Sequence, residues 1–246
     1  MKTAALIPAR MASERFPEKL MKDLLGKSVI LRTYEAAVNS RLFDEVFVIT
    51  DHQDILNEIK NHGGKALMSK KNHATGTDRI AEFAPDIKAD IIINIQGDEP
   101  FIDTRQLQSL IEVFENDTRQ IIDIASLMIA IKNEKQFLNP NNVKVVTDEN
   151  NFALYFSRAP IPYPRSNGFQ TAYKHIGVYA FRKSVLMEIA NLQESKLEKI
   201  EKLENLRFLE NGYRIKMITT DHINFGIDTE EDLLEAQKFL KQNSND

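Results

Sequence analysis

The 246-residue chain contains no cysteine, and none of its apolar runs approaches the roughly 18 residues needed to cross a membrane. The lack of cysteine excludes a disulfide scaffold and metal sites built from thiolates, and it is typical of proteins in a reducing compartment. The apolar run after Lys2 stops at Arg10, which is too short for the core of a signal peptide. We therefore expect a soluble, cytoplasmic protein that does not bind membranes.

A strong charge of either sign is also missing, because the formal net charge is only −4. Such a charge gives no general attraction to nucleic acid, so any cationic binding site must be a local cluster. We expect no nucleic-acid partner. The apolar share of 42% is sufficient for a full core, and no linker divides the chain, so we expect a single domain over residues 1–246.

Short β-branched runs alternate with segments of helical periodicity, an order typical of a mostly parallel sheet with helices on both faces. Strands are predicted at Ala4–Ile7, Glu45–Thr50, Lys65–Met68, Asp90–Ile95, Asp123–Ile129, Lys144–Thr147, Phe152–Phe156, Lys174–Phe181 and Arg214–Thr220. Helices are predicted at Ser28–Asn39, Gln53–Asn61, Thr77–Phe83, Thr104–Phe114, Ser184–Ala190, Leu197–Leu209 and Thr229–Leu240. The polar residues Asp148–Asn151 indicate a hairpin tip, so an antiparallel insertion interrupts the α/β order in the second half.

Two familiar phosphate-binding motifs are absent as well. No GxGxxG follows the first strand, and the stretch MKDLLGKS has Met21 where a Walker A loop needs glycine, so its end is interpreted as a turn with Ser28 capping the next helix. The first strand instead runs into IPARMASERFPEK, which carries Arg10, Arg15 and Lys19. Because three cations in one short loop repel one another, we expect them to bind a polyanion such as a triphosphate; a solvated loop is the alternative.

Carboxylates follow the predicted strand of isoleucines in DIIINIQGDEPFI and recur in GIDTEEDL. Open α/β sheets bind their ligands at the carboxyl ends of their strands, where Asp98 is predicted to lie. Asp98 and Asp228 could share one Mg²⁺ ion on a nucleotide, since carboxylate oxygens suit this ion. The alternative for both residues is helix capping.

Three further stretches carry polar candidates. In ATGTDRIAE, Thr75 and Thr77 form a compact polar turn that either reads a nucleobase edge or caps the helix. Arg158 directly follows an apolar strand, so we expect it to meet a carboxylate or an anionic ligand. The remaining candidates for contact with a polyhydroxylated ligand are His175 and Tyr179 on one strand and Glu204 and Asn205 on the helix Leu197–Leu209. For His175 the alternative is a purely structural role in the strand.

Taken together, these stretches occur in the order and spacing of one family. The stretches that closely resemble the 3-deoxy-manno-octulosonate cytidylyltransferases are IPARMASERFPEK, TGTDR, NIQGDEPFI, NPNNVKVV, ALYFSRAPIP, KHIGVYAF, LEKIEKLENLRFLENG and GIDTEEDL. The resemblance runs from about Thr3 to Leu240. It implies a Rossmann-like nucleotidyltransferase fold and an enzyme that uses CTP and Mg²⁺ to activate the acid sugar 3-deoxy-manno-octulosonate (KDO) for lipopolysaccharide synthesis.

The resemblance also implies roles for individual residues. Those on the triphosphate loop are Arg10, Ser13, Arg15 and Lys19. Those on the cytidine side are Thr77 and Arg79. Those near the sugar acid are Gln96, Arg158, His175, Tyr179, Glu204 and Asn205. Asp98 and Asp228 match the Mg²⁺ carboxylates, and together with Lys19 and Arg10 they are the candidate catalytic residues. Residues 132–212 are implied in acceptor binding and in a homodimer.

One residue departs from the family pattern. Glu18 stands where the family usually has glycine, so either its side chain points outward or closure of the loop is altered. Two alternatives stay open at this point. The acceptor could be 8-amino-KDO or another acid sugar, which differs by very few pocket contacts, or the chain could be a nucleotide-sensing protein without turnover.

Overall fold

The computed structural model describes residues 1–13, 15–165, 171–222 and 226–243. The chain divides into two compact units, the first formed by Met1–Leu107 with Asn224–Asp246 and the second by Gln108–Ile223. No helix in the described ranges has the length and apolar character needed to cross a membrane.

Nine strands and nine α-helices are assigned within the described residues. The strands are β1 Thr3–Ala9, β2 Glu45–Thr50, β3 Ala66–Met68, β4 Ile91–Asn94, β5 Ile124–Ala130, β6 Lys144–Thr147, β7 Ala153–Ser157, β8 Tyr173–Arg182 and β9 Ile215–Thr220. The helices are α1 Val29–Asn39, α2 Gln53–Asn61, α3 Gly76–Ala81, α4 Thr104–Glu115, α5 Glu134–Leu138, α6 Lys183–Ile189, α7 Lys196–Glu201, α8 Glu204–Glu210 and α9 Glu230–Asn243. Short 3₁₀ turns occupy Lys19–Met21 and Ala84–Asp86.

The first unit contains a parallel sheet in the order β3-β2-β1-β4. Every residue of β1 and β4 is buried, which explains why these strands read as continuous apolar runs rather than as alternating ones. Since parallel strands all end at the same edge of the sheet, the loops after β1 and β4 emerge side by side. This edge carries the candidate residues between Arg10 and Lys19 and between Gln96 and Asp98.

The turn before α1 forms as predicted. Gly26 has a φ of 83°, and the Ser28 hydroxyl accepts a hydrogen bond from the Leu31 N–H at 3.2 Å. Ser28 is therefore the helix N-cap, and MKDLLGKS serves as a turn and a cap rather than as a phosphate loop.

The second unit contains a mixed sheet in which β5 pairs antiparallel with β8 and parallel with β9. Strands β6 and β7 form the predicted hairpin, and β6 continues the antiparallel pairing onto β8. The tip is closed by a hydrogen bond from the Asp148 N–H to the Phe152 carbonyl at 2.9 Å. The predicted fold class, a mostly parallel sheet with helices and an antiparallel insertion in the second half, is confirmed.

The helix predicted over Leu197–Leu209 is wrong as a single element. It consists of α7 and α8, which are separated at Lys202, whose backbone is left-handed with a φ of 54°. The break brings the buried Arg207 of α8 to within 3.4 Å of the buried carboxylate of Glu198 on α7. It also leaves Ile200 of α7 69% exposed, whereas Leu206 of α8 is fully buried. The short helix α5 was not predicted.

Candidate active site

A cavity of about 400 Å³ lies at the carboxyl ends of β1 and β4. Its walls include all six of the residues predicted from the triphosphate loop and the carboxylate pair, namely Arg10, Ser13, Arg15, Lys19, Asp98 and Asp228. These residues come from three distant parts of the chain, and the parallel order of the strands brings the first two parts together. The cavity is large enough for several phosphate groups and polar enough to hold their charge.

Lys19 lies on the wall of this cavity and links its two carboxylates. Its ammonium Nζ donates a hydrogen bond to Asp98 Oδ2 and another to Asp228 Oδ1 at 2.8 Å. Arg15 Nη2 donates to the second oxygen of Asp228, Oδ2, at 3.0 Å. Two carboxylates are thus aimed at a single cationic group.

Burial and charge act in opposite directions on these groups. Burial by itself would lower the pKa of Lys19, but the negative charges and hydrogen bonds of Asp98 and Asp228 outweigh burial and raise it. Burial would likewise raise the pKa of Asp228, but hydrogen bonding and charge from Lys19 and then Arg15 lower it. Lys19 is therefore positive and Asp228 negative throughout the physiological pH range.

The donor set fits Mg²⁺. This ion is usually held by one or two carboxylates, with water and substrate phosphates completing its octahedron. Asp98 and Asp228 supply two such carboxylates, which converge on one cation. Within the described residues there is no cluster of three or more His, Asp or Glu that could form a complete protein cage. The two carboxylates are therefore suited to a Mg²⁺ ion that binds together with a nucleotide.

Glu18 adopts a left-handed backbone conformation with a φ of 55° just before the 3₁₀ turn that carries Lys19. Glycine adopts this conformation without strain, which is the physical reason that glycine suits this position. The residue is exposed. Of the two possibilities raised by the sequence, the outward-pointing Glu18 is the one observed.

A second cavity of about 250 Å³ shares Pro8, Arg10 and Gln96 with the first. Its other walls include His73, Thr75, Gly76 and Arg79. The Arg79 guanidinium is buried and donates to Asp51 Oδ2 at 2.6 Å and to Ser69 Oγ at 3.0 Å, so it is committed to protein partners. The size of the cavity and its position beside the first one suit a nucleoside.

Thr75 and Thr77 have different roles in this turn. The Thr75 hydroxyl accepts a hydrogen bond from the Asp78 N–H at 3.0 Å, so Thr75 caps α3 while it also lines the cavity. Thr77 is 1% exposed, and its hydroxyl accepts a hydrogen bond from Asn94 Nδ2 at 3.3 Å. Thr77 therefore anchors α3 to the end of β4.

Sequence reasoning missed His73 at this cavity. Its ring is almost fully buried, and Nε2 lies 2.7 Å from the Glu82 carboxylate. Burial by itself would raise the pKa of Glu82, but hydrogen bonds from His73 and from the Lys70 N–H outweigh burial and lower it. The only signal was a histidine two positions before the Thr75 cap, which has no distinctive spacing.

In the second unit, His175 and Tyr179 lie next to each other on β8, with ring centroids 5.3 Å apart. His175 Nε2 is 2.9 Å from the Ser126 hydroxyl, and Phe156 packs against the other side of the imidazole at 5.0 Å. Burial, followed by the charge of Lys174, lowers the pKa of His175 to about 3. His175 is therefore a neutral hydrogen-bonding group at physiological pH, not a cation.

Arg158 has protein partners that the sequence did not reveal. Its Nε donates to the Glu201 carbonyl at 2.9 Å and its Nη1 to the Pro140 carbonyl at 3.1 Å. Its backbone N–H donates to the Glu201 carboxylate at 2.9 Å. The guanidinium is thus held in place by neutral carbonyls.

The two candidates on α8 differ in their surroundings. Glu204 Oε1 accepts a hydrogen bond from Arg207 Nη2 at 3.0 Å, so this carboxylate belongs to the cluster of charges between α7 and α8. Asn205 is 2% exposed, and its Oδ1 has no hydrogen-bond partner among the described residues. A buried, unsatisfied amide oxygen is uncommon in a folded protein.

Known cytidylyltransferases are similar to this chain over nearly its whole length. The family described as Cytidylyltransferase matches residues 4–217. The 3-deoxy-manno-octulosonate cytidylyltransferase of Flavobacterium johnsoniae is 56% identical over 98% of this chain and 99% of its own length. The enzyme of the same name from Christiangramia forsetii is 54% identical over 96% of both chains. A solved structure of CMP:2-keto-3-deoxy-manno-octonic acid synthetase complexed with CTP superposes with a TM-score of 0.93, at 37% identity, over 99% of this chain and 100% of that one.

Proposed function

Because the chain belongs to the family of 3-deoxy-manno-octulosonate cytidylyltransferases, we propose that it transfers CMP from CTP to the anomeric 2-hydroxyl of KDO. Pyrophosphate leaves, and the product CMP-KDO serves lipopolysaccharide synthesis. The observation that carries the proposal is the cavity in which Lys19 meets Asp98 and Asp228. A protein that only sensed a nucleotide would have less need of a carboxylate pair aimed at one cation.

Arg10, Ser13, Arg15 and Lys19 hold the triphosphate in this proposal. All four lie on the wall of the larger cavity. Within the described part of the chain Arg10 forms no ion pair, so its charge is available to phosphate. Arg15 is 69% exposed, so it can turn from Asp228 towards a bound phosphate at little cost in free energy. The smaller cavity, lined by Arg79 and capped by α3, takes the cytidine.

The reaction is an in-line displacement at the α-phosphorus. The sugar 2-hydroxyl oxygen forms the new bond to phosphorus and releases its proton to water, while the bond between the α-phosphorus and the oxygen bridging to the β-phosphate breaks. Lys19 and Arg10 stabilise the negative charge that moves onto pyrophosphate. Asp98 and Asp228 would hold Mg²⁺, which would supply divalent positive charge for the phosphates. Most of the rate therefore comes from positioning and charge neutralisation, without a protein nucleophile.

In the first unit, Gln96 lies on the wall shared by the two cavities and is a proposed acceptor residue. The second unit contains a separate group of proposed acceptor residues. That group consists of Arg158, His175, Tyr179, Glu204 and Asn205. Arg158 is proposed to receive the carboxylate of the acid sugar, since the protein partners of its guanidinium are neutral carbonyls. His175 and Asn205 supply hydrogen bonds to hydroxyl groups, consistent with the low pKa of His175 and the unsatisfied oxygen of Asn205.

A homodimer formed through residues 132–212 is also part of the proposal. Leu138, Leu154 and Ile200 lie in this range and are 56%, 62% and 69% exposed, and a partner chain would cover them. Sedimentation of the wild type at micromolar concentration should give twice the monomer mass. Leu154→Lys should shift it towards the monomer, whereas Val38→Lys, at an exposed apolar residue of the first unit, should not. A monomeric wild type would remove the dimer from the proposal.

We place the protein in the cytoplasm, where CTP is available to it. Fractionation of the native cell with antibodies to the protein tests this, and recovery with membranes or with a secreted fraction would contradict it.

The enzymatic test is pyrophosphate release with CTP, Mg²⁺ and one of three acceptors: KDO, its 8-amino analogue or sialic acid. We expect release with KDO, and none when UTP replaces CTP or when the metal is chelated. Release with another acceptor alone would keep the chemistry and change the substrate. Binding of CTP without release under any condition would favour the sensing protein instead.

A further inference from the structure

Lys144 is a lysine without solvent exposure, the largest of the fully buried side chains in the described ranges. Its ammonium donates three hydrogen bonds, all to backbone carbonyls: Asn139 at 3.0 Å, Asn142 at 2.6 Å and Arg158 at 2.6 Å. It forms no ion pair within the described residues. All three donor positions of the ammonium are therefore used within the second unit.

Burying a lysine ammonium among carbonyl groups costs free energy. A buried ammonium loses its hydration, and carbonyl dipoles repay less of that loss than a carboxylate would. Burial lowers the pKa of Lys144, with a contribution from the charge of Arg158 that Glu201 opposes. Without the ammonium, the three carbonyls would lose their donor. The role of Lys144 therefore lies in the chain segments that it joins.

Those segments are the loop 139–142 and residue 158. Lys144 binds the carbonyl of Arg158, and the Arg158 guanidinium binds the carbonyl of Pro140 in the same loop. The Glu201 carboxylate accepts hydrogen bonds from the Arg158 N–H and from the Ser157 hydroxyl, the latter at 2.6 Å. Arg158 is consequently held at its N–H, its carbonyl and its guanidinium.

The network carries an unbalanced charge. Lys144 and Arg158 contribute two positive charges and Glu201 one negative charge, so one positive charge has no counter-ion inside the network. Because Lys144 is enclosed, the guanidinium of Arg158 is the part of the network that an incoming anion can reach. A carboxylate on a small ligand would both balance the charge and complete the hydrogen bonding.

We propose that Lys144 is a positioning residue for the acceptor, which fixes the backbone at Arg158 so that its guanidinium is presented to the carboxylate of the sugar acid. The inference rests on the proposed function, and it adds a residue that makes no contact with the substrate. Lys144 acts on acceptor binding and leaves the CTP cavity of the first unit unchanged.

The first test compares Lys144→Met with Lys216→Met. Lys216 is a matched control, because its ammonium also donates to a loop carbonyl of the second unit, that of Asn150. We expect Lys144→Met to raise the KM for KDO roughly 10-fold or more, as for a lost hydrogen bond involving a charged group, while the KM for CTP changes less than about 2-fold. An unchanged KM for KDO, or equal increases in both KM values, would overturn the proposal.

Chemical rescue separates charge from packing. The chain has no cysteine, so Lys144→Cys provides a single thiol that bromoethylamine converts, in the denatured protein, into a close analogue of lysine. After refolding, the aminoethylated protein should recover the wild-type KM for KDO, while the unmodified Lys144→Cys protein should not. Failure of the restored ammonium to lower the KM in a folded protein would contradict a positioning role.

If Lys144→Met does not fold, Glu201→Gln tests the same anchor from its half-buried end, and the same selective rise in the KM for KDO is expected. A double-mutant cycle with Arg158→Ala completes the design. If Lys144 acts through Arg158, its substitution should have little further effect on KDO binding when Arg158 is already alanine; additive effects would overturn the inference. A different result would contradict the proposed function itself, namely that the wild type releases no pyrophosphate with KDO.

Discussion

Lys19 in the first unit and Lys144 in the second are both lysines with limited access to water, but they are surrounded differently. Lys19 is 15% exposed and lies between two carboxylates, which raise its pKa. Lys144 is fully buried among three carbonyls, and burial lowers its pKa. The first ammonium balances charge, and the second mainly makes hydrogen bonds.

The difference shows how one residue type serves two purposes. Around Lys19 the carboxylates are partly exposed, at 25% for Asp98 and 45% for Asp228, so other cations and anionic substrates can enter and rearrange the contacts. Lys144 itself has no exposed surface at which a ligand could contact its ammonium. We therefore expect substitutions near Lys19 to affect the chemistry and those at Lys144 to affect geometry and stability.

The largest effect is expected for Asp98→Asn. Removal of one carboxylate from the proposed metal site should lower turnover about 100-fold or more, because charge neutralisation at the phosphates supplies much of the rate. The measurement is pyrophosphate release at saturating CTP and KDO, with circular dichroism to show that the fold is retained. Asp86→Asn, at an exposed carboxylate of the same unit, is the control. Unchanged turnover would remove Asp98 from the metal site.

Lys19→Ala should come next, with kcat/KM for CTP falling roughly 10- to 100-fold, since a preorganised cation near the leaving pyrophosphate is lost. Steady-state kinetics with varied CTP provide the measurement. Lys27→Ala removes a lysine that is paired with Glu35 outside the cavity and should leave these kinetics unchanged. Normal kinetics for Lys19→Ala would refute the assignment of this loop to the triphosphate.

The free energy of unfolding should fall more for a substitution at Lys144 than for one at Lys19. Lys144→Met removes three hydrogen bonds to partly buried carbonyls, so it should lower the free energy of unfolding by about 3 kcal/mol. Lys19→Ala should cost about 1 kcal/mol or less, because the carboxylates that it leaves behind are partly solvated. Urea unfolding followed by circular dichroism measures both values. A larger loss for Lys19→Ala than for Lys144→Met would reverse the comparison.

The smallest effect is expected on the pH dependence of stability. As pH rises, the contribution of one lysine to stability should increase and that of the other should decrease. The pKa of Lys144 is below 10.5 in the folded protein, so its contribution to stability rises as pH approaches 10.5. The pKa of Lys19 is above 10.5, so its contribution is complete below that value and is lost as pH rises beyond it.

Urea midpoints at pH 8, 9, 10 and 11 for the wild type and both variants would separate these contributions. Relative to the wild type, Lys144→Met should lack the rise below pH 10.5, and Lys19→Ala should lack the loss above it. Identical pH profiles for the two variants would contradict the opposite environments assigned to the two lysines.

Much of the fold could be predicted from local pattern. Strands β2 and β6 have the predicted bounds, and most other elements differ by one or two residues at their ends. The main error, at α7 and α8, arose where a tertiary contact outweighed local preference: Lys202 is a poor residue for a left-handed backbone, but the break allows Arg207 to reach Glu198.

The candidate site was predictable to a similar degree. The cations of the first loop and the two carboxylates were identified from residue type and position after strands, and the structure gathers them in one cavity. His73 and Lys144 were missed, because a single histidine or lysine in a short helix-to-strand pattern carries no spacing that distinguishes a buried residue from an exposed one.

The sequence by itself determined the order of strands and helices, the family, and the residue types that could handle a triphosphate and a metal ion. Those properties depend on composition and on neighbours a few positions apart. Only the tertiary structure decided which charges meet. Lys19 contacts carboxylates 79 and 209 positions away, and Lys144 reaches a carbonyl 14 positions along the chain. Their pKa values have opposite shifts because burial and the nearest polar groups, not residue type, set the free energy of a charge inside a folded protein.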